Sequence, residues 1–168
     1  MKKRALLFFV AISICVMTLN RVLATDIKTG LKERIDKSDL IVIGKVTNLT
    51  SQRSEDHGLI YTIATLSVEK AIKGDPRSNH IKIRVLGGSV GDMATLVFQD
   101  VAEFDINERV LAFLQVSKNN PEYYWVFDET EGKYSVGYDR GMHEMIVGEG
   151  VSLKTIVNQI QTYLKGSR

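Results

Sequence analysis

Ser38-Asp39-Leu40-Ile41-Val42-Ile43-Gly44-Lys45-Val46-Thr47 is the stretch on which the reading of this chain turns. In an extended chain Leu40, Val42, Gly44 and Val46 share one face, and Ile41 and Ile43 take the other. A β-branched run this dense reads as a strand buried on both sides at its start. Lys45, Thr47 and Asn48 make its second half one-sided, so a strand is expected over 40–49. Gly44 brings no side chain to pack, which predicts a bulge or sharp bend there.

Working outward, Ile27, Leu31 and Ile35 recur every four residues and predict a short helix over 28–37, with Asp26 able to cap it. Downstream, residues 50–58 read as a polar hairpin loop, and further strands are expected at 59–72, 80–86, 94–101, 109–116, 122–128, 133–138 and 142–147. Lys73-Gly74-Asp75-Pro76 is turn chemistry, and Gly87-Gly88-Ser89-Val90-Gly91 reads as a flexible loop. After Gly148 the period changes. Leu153, Ile156, Val157, Ile160 and Leu164 follow helical spacing, predicting a terminal amphipathic helix over about 152–165 with Ser152 as its cap. Close-spaced strands flanked by helices predict a mainly β fold, a closed or partly open antiparallel barrel, with a two-sheet sandwich as the alternative.

The first residues carry a different message. Met1-Lys2-Lys3-Arg4 is followed by an apolar run to Leu19, and Val22 and Ala24 are small enough for a −3/−1 processing site. This is the pattern of a cleaved secretory signal, expected to span 1–24 and to leave residues 25–168 as one domain in the periplasm or outside the cell. The apolar run is shorter than the ~20 residues of a spanning helix, so no membrane attachment is expected after cleavage. The chain has 22 basic and 20 acidic residues; the signal removes Lys2, Lys3, Arg4 and Arg21 and no acid, turning a formal +2 into −2. That balance argues against nucleic acid as a partner. Cys15, the one cysteine, leaves with the signal, so neither a disulfide nor a thiolate is expected in the mature chain.

Gly87-Gly88-Ser89-Val90-Gly91 matches G-x-S-x-G, but a nucleophile elbow needs a helix after the serine, and Asp92–Val97 reads as another strand. A small serine hydrolase using Ser89 is therefore the least favoured reading, and no catalytic residue is assigned. His57, His80 and His143 have no metal-ligand spacing, and His143-Glu144 lacks the second histidine of H-E-x-x-H, so neither metal nor cofactor is expected. Tyr123-Tyr124-Trp125-Val126-Phe127 is either a stacking surface or a late strand; the strand reading is preferred, with Trp125 and Phe127 inside and Tyr124 outside.

Ser38–Val46, behind a short helix, resembles the first strand of the tissue inhibitor of metalloproteinases and netrin modules. The order continues: Thr62–Gly74 is similar to the second strand of that family and ends in a comparable turn, Ile72-Lys73-Gly74. Ile81–Leu86 and Asn107–Val116 resemble later strands, and the Ser-Asp-Leu-Ile-Val-x-Gly-x-Val opening also looks like that of a group of uncharacterised secreted prokaryotic proteins. The resemblance implies a five-stranded OB-type barrel and a binding ridge made of the mature N-terminus, here Thr25, with Gly87, Gly88, Ser89, Val90 and Gly91. The zinc-chelating N-terminal cysteine of the inhibitors is missing, since Thr25 takes that place. The expectation is thus a non-catalytic binding module whose partner is a periplasmic or extracellular protein. Inhibition of a secreted metalloprotease through Thr25 and the 87–91 segment is the alternative.

Overall fold

In a computed structural model the described residues are 30–54, 58–97, 101–141, 143–148 and 150–167. The proposed signal, its cleavage site, Asp26, Ile27 and His57 lie outside them. The chain divides into two units, Met1–Glu33 and Arg34–Arg168. Of the first unit only 30–33 are described, and they are helical, as are 34–37 at the start of the second (α1, 30–37).

The second unit is mainly β. Its strands are β1 Leu40–Arg53, β2 Ile60–Lys73, β3 His80–Leu86, β4 Gly88–Val90, β5 Met93–Thr95, β6 Arg109–Val116, β7 Tyr123–Val126, β8 Lys133–Asp139, β9 Glu144–Val147 and β10 Val151–Ser152, followed by helix α2, Leu153–Gly166. β1 pairs with β2, β2 with β3, β3 with β7, β7 with β6, and β6 returns to β1. The sheet thus partly closes on itself. All junctions are antiparallel except β3–β7, a parallel seam of two residue pairs, Lys82–Tyr123 and Ile83–Tyr124. β8 takes the stretch of the β6 edge beside β7, and β9 and β10 continue from it.

Alternation along the strands fills the interior. Leu40, Val42, Val46, Leu66, Ile83 and Leu114 belong to one buried cluster. On the opposite face of β1 and β6, Ile41, Ile43, Leu111 and Phe113 are buried just as deeply. The start of β1 is therefore covered on both sides, as its composition demands. Gly44 sits at a register shift between β1 and β2, the expected bulge. β1 outruns the 40–49 expectation by four residues, because Thr50–Arg53 keep pairing with Ile60–Ile63 despite their polarity. The loop is correspondingly shorter.

Charged side chains fasten the end of α1. Lys73 Nζ donates to the carbonyls of Ile35 at 2.6 Å, Asp36 at 3.2 Å and Ser38 at 2.6 Å. A cation on the unpaired carbonyls of a helix C-terminus is favourable both as a donor and against the helix dipole. Gly74 follows with φ 77, and a Cβ there would run into the Asp39 carbonyl. Arg34 spans the other side, bonding Asp128 at 2.7 Å, Glu131 at 3.0 Å and the Tyr134 hydroxyl at 2.5 Å. Lys73→Met should lower stability by about 2 kcal/mol, the worth of hydrogen bonds from a charged donor. Urea unfolding of the two forms measures it, and a loss below about 0.5 kcal/mol would deny Lys73 this role.

At the other end, α2 buries Leu153, Ile156, Val157 and Ile160, as its spacing requires. Ser152 precedes it, but makes no capping hydrogen bond; its hydroxyl donates to Glu144 at 2.7 Å instead. Pairing of Ser152 with Ile146 in the β9–β10 ladder aims the side chain at the sheet rather than at the helix amides.

Candidate functional site

Residues 87–91 are not a flexible loop. Gly88–Val90 is a strand, paired with Met93–Thr95 through Ser89–Ala94 and Val90–Met93. The two-residue turn between them, Gly91-Asp92, starts with Gly91 at φ 58, where hairpin turns favour glycine. Five turn-prone residues predict a flexible loop, whereas Gly91 turns the chain into the hairpin. Likewise the strand expected over 94–101 ends at Thr95; 96–97 are irregular, and 98–100 lie outside the described residues.

The hairpin is anchored at its base. Gly87 N–H donates to the Ile60 carbonyl at 2.9 Å, Thr62 Oγ1 to the Gly87 carbonyl at 2.9 Å, and Ile60 N–H to Thr95 Oγ1 at 2.8 Å. Gly88, φ 126, is pressed so closely on β1 and β2 that a Cβ would stand 2.6 Å from Ser51 Oγ and 2.7 Å from Thr62 Oγ1. Beyond this fixed base, apolar side chains stand in solvent: Leu96 is 74% exposed, Met93 47%, and Leu59, next to Ile60, 37%. A cleft of about 370 Å³ opens beside them, lined among others by Gly87, Thr95, Leu96, Val97, Ala102 and Phe104.

Thr25 is outside the described residues, so the structure gives no placement for it beside the hairpin. Ser89 is exposed on a strand that leads into β5, without the helix that a nucleophile elbow requires. Among the described residues no three His, Cys, Asp or Glu side chains converge as metal ligands.

A second concentration of chemistry lies on the outer face of β2, β3 and β7. Tyr61 and Trp125 meet edge to face, ring centres 5.9 Å apart, and the Arg84 guanidinium lies 3.7 Å from the Tyr61 ring centre and 5.5 Å from that of Trp125. The rings take the opposite placement to the expected one. Tyr124 is the buried one, 6% exposed, and Trp125 faces outward with Tyr61. Tyr124 stands opposite Ile83 and Val116, partners that face the interior, and this long-range register overrides the preference for burying the largest ring. Lys82 lies on the same face, bonded to Glu122 and 5.8 Å from the Tyr123 ring centre. Its hydrogen bond to Glu122 raises its pKa above the ordinary lysine value despite slight desolvation. Gln52 Nε2 donates to the Tyr123 hydroxyl at 3.3 Å.

A part-buried ion pair supports the approach to the cleft. Lys133 Nζ donates to Glu108 Oε1 at 2.5 Å, the Ser135 hydroxyl joins the same oxygen at 2.5 Å, and the Asp105 amide reaches Oε2 at 3.1 Å. Burial alone would push the Glu108 carboxyl up; the hydrogen bonds from Lys133, Ser135 and Asp105 outweigh it and hold the pKa below the ordinary glutamate value. Phe104, which lines the cleft, sits over Lys133 with 5.5 Å between ring centre and Nζ. The only signal of this pair in the sequence is two opposite charges 25 residues apart.

The class on view is a mainly β protein with an anchored apolar hairpin and an aromatic outer face. Compared with protein-family models and with curated proteins, the chain matches none.

Proposed function

We propose that the second unit is an OB-type barrel which, after export, works as a non-catalytic binding module for a protein partner. Support for the OB reading is the strand order β1-β2-β3-β7-β6, returning to β1, with its one parallel junction between β3 and β7. Export rests on the basic, apolar and small-residue pattern of 1–24.

The observation that carries the binding role is the hairpin itself. Met93 and Leu96 are apolar, largely exposed, and presented on a base that hydrogen bonds hold in place. An apolar patch beside a cleft marks an interaction surface, and a preformed hairpin loses little entropy on docking. A partner offering an apolar side chain to the cleft fits it best.

Met93→Ser with Leu96→Ser tests the reading. Both residues are exposed, so the double variant should unfold within about 0.5 kcal/mol of the parent. Mature protein carrying a photo-crosslinker at Ala94 should capture a defined protein from the native periplasmic or extracellular fraction, and the double variant should lose it. Equal capture by both forms, or none by the parent, would end the proposal.

A further inference from the structure

Arg84 is a cation without an anion among the described residues. Among the described residues its guanidinium has no hydrogen bond or ion pair; its contacts are the faces of Tyr61 and Trp125. Arg84 Nε is shielded from solvent and has no acceptor. An N–H that has given up water without gaining a partner is short of one hydrogen bond. Stacking on Tyr61 holds the planar group by its face, and with Nε closed off the two terminal nitrogens are the end left to bond a carboxylate two-pronged.

The surroundings narrow what that something is. Lys82, two residues earlier on the same face, is occupied by Glu122, so the face offers one uncommitted positive charge. That suits a single carboxylate and not a polyanionic backbone, whose binding needs several basic groups. Trp125 and Tyr61 add apolar ring surface, and the Gln52–Tyr123 pair adds an amide and a hydroxyl at the rim. Aromatic surface, hydrogen-bonding rim and one guanidinium together match a pyranose ring bearing a carboxylate. We infer that the outer face of β2, β3 and β7 is a second binding site, for a carboxylated sugar residue of an acidic glycan, with Arg84 gripping the carboxylate and Trp125 packing on the ring. It is separate from the β4–β5 hairpin and does not rest on the protein-partner reading.

Trp125 is the single tryptophan of the chain, so its fluorescence reports directly on this face. Trigalacturonate titrated into the full mature protein should give a saturable change. Its methyl ester, which keeps the sugar and removes the charge, should bind at least about tenfold more weakly, the worth of a charge-assisted contact. Arg84→Met should lose affinity for the acid by a similar factor while leaving the ester unaffected. Arg84→Lys, a charge without the planar fork, should fall between the two. The parent's preference for acid over ester needs no variant, so a misfolded Arg84→Met protein would not rescue or defeat the test. Absence of a saturable change up to about 10 mM would overturn the inference, as would equal binding of acid and ester. Inorganic phosphate or an acetylated tripeptide binding as tightly as the sugar acid would overturn it too, showing a general anion or peptide-carboxylate site.

Discussion

Gly44→Val should destabilise the second unit by about 3 kcal/mol, at the upper end of what overpacking a core costs. A Cβ at this position would stand 2.5 Å from the Ser67 carbonyl oxygen and 2.9 Å from Leu66 Cγ. Neither neighbour can step aside cheaply. The oxygen belongs to the backbone of β2, and Leu66 is part of the buried cluster. The site is also a register shift of β1 on β2 while the same residue pairs with Val110 of β6, so a displaced backbone would disturb two ladders at once. Urea unfolding followed by circular dichroism gives the value, and Gly44→Ala should fall between parent and valine. A valine variant within about 1 kcal/mol of the parent would show that the bulge can relax, and would remove the steric reason for glycine here.

Glu108→Ala should cost about 2–3 kcal/mol, because it leaves a part-buried ammonium without its charged hydrogen-bond partner. The side chains of Lys133 and Glu108 are only 13% and 14% exposed, and without the carboxylate Lys133 keeps a 3.4 Å contact to Ser135 and the Phe104 ring. Most of the loss is thus the charge left behind and not the worth of the pair. Adding Lys133→Met should restore much of it, since two apolar side chains at such a site are often as stable as the pair they replace. A double variant no more stable than Glu108→Ala would refute this account. The carboxyl also sets an acid limit. Its folded-state pKa lies below the ordinary value, so its stabilisation is fully present above about pH 5 and is lost as the pH falls through the depressed folded value. The parent should therefore lose stability more steeply than Glu108→Ala as the pH is lowered below about 4.5.

Much of the architecture is legible in local patterns. The dense β-branched start of β1, the alternation of Ile81 and Ile83 with Lys82 and Arg84, and the helical spacing from Leu153 each follow from side-chain period alone. Gly44 announces its bulge because a glycine inside such a run has no packing reason to be there. What escaped depends on partners far along the chain. No local feature of Tyr123–Val126 says that it lies parallel to β3, and that pairing decides whether Tyr124 or Trp125 is buried. The site divides the same way. The glycines of 87–91 flagged an unusual backbone, but the hairpin needs Thr62, Thr95 and Ile60 to hold it. Arg84 was legible as outward-facing, whereas its stacking on Tyr61 and lack of an anion emerge only when three strands meet.

The double role of β1 has a consequence for how the chain acquires its fold. Its partner β2 is the next strand, joined by a short loop, so this hairpin forms from near neighbours and at small entropic cost. Its other edge waits for β6, which pairs Leu40 with Leu114 and Ile41 with Phe113, more than seventy residues away. Between the two events the apolar start of β1 has a bare edge and unpaired backbone groups, the template on which chains add to one another. The bulge at Gly44, in the β1–β2 ladder, adds twist to β1 near the end of that edge, making it a poorer template for a second copy. The residue that shapes the finished sheet thus also guards the unfinished one.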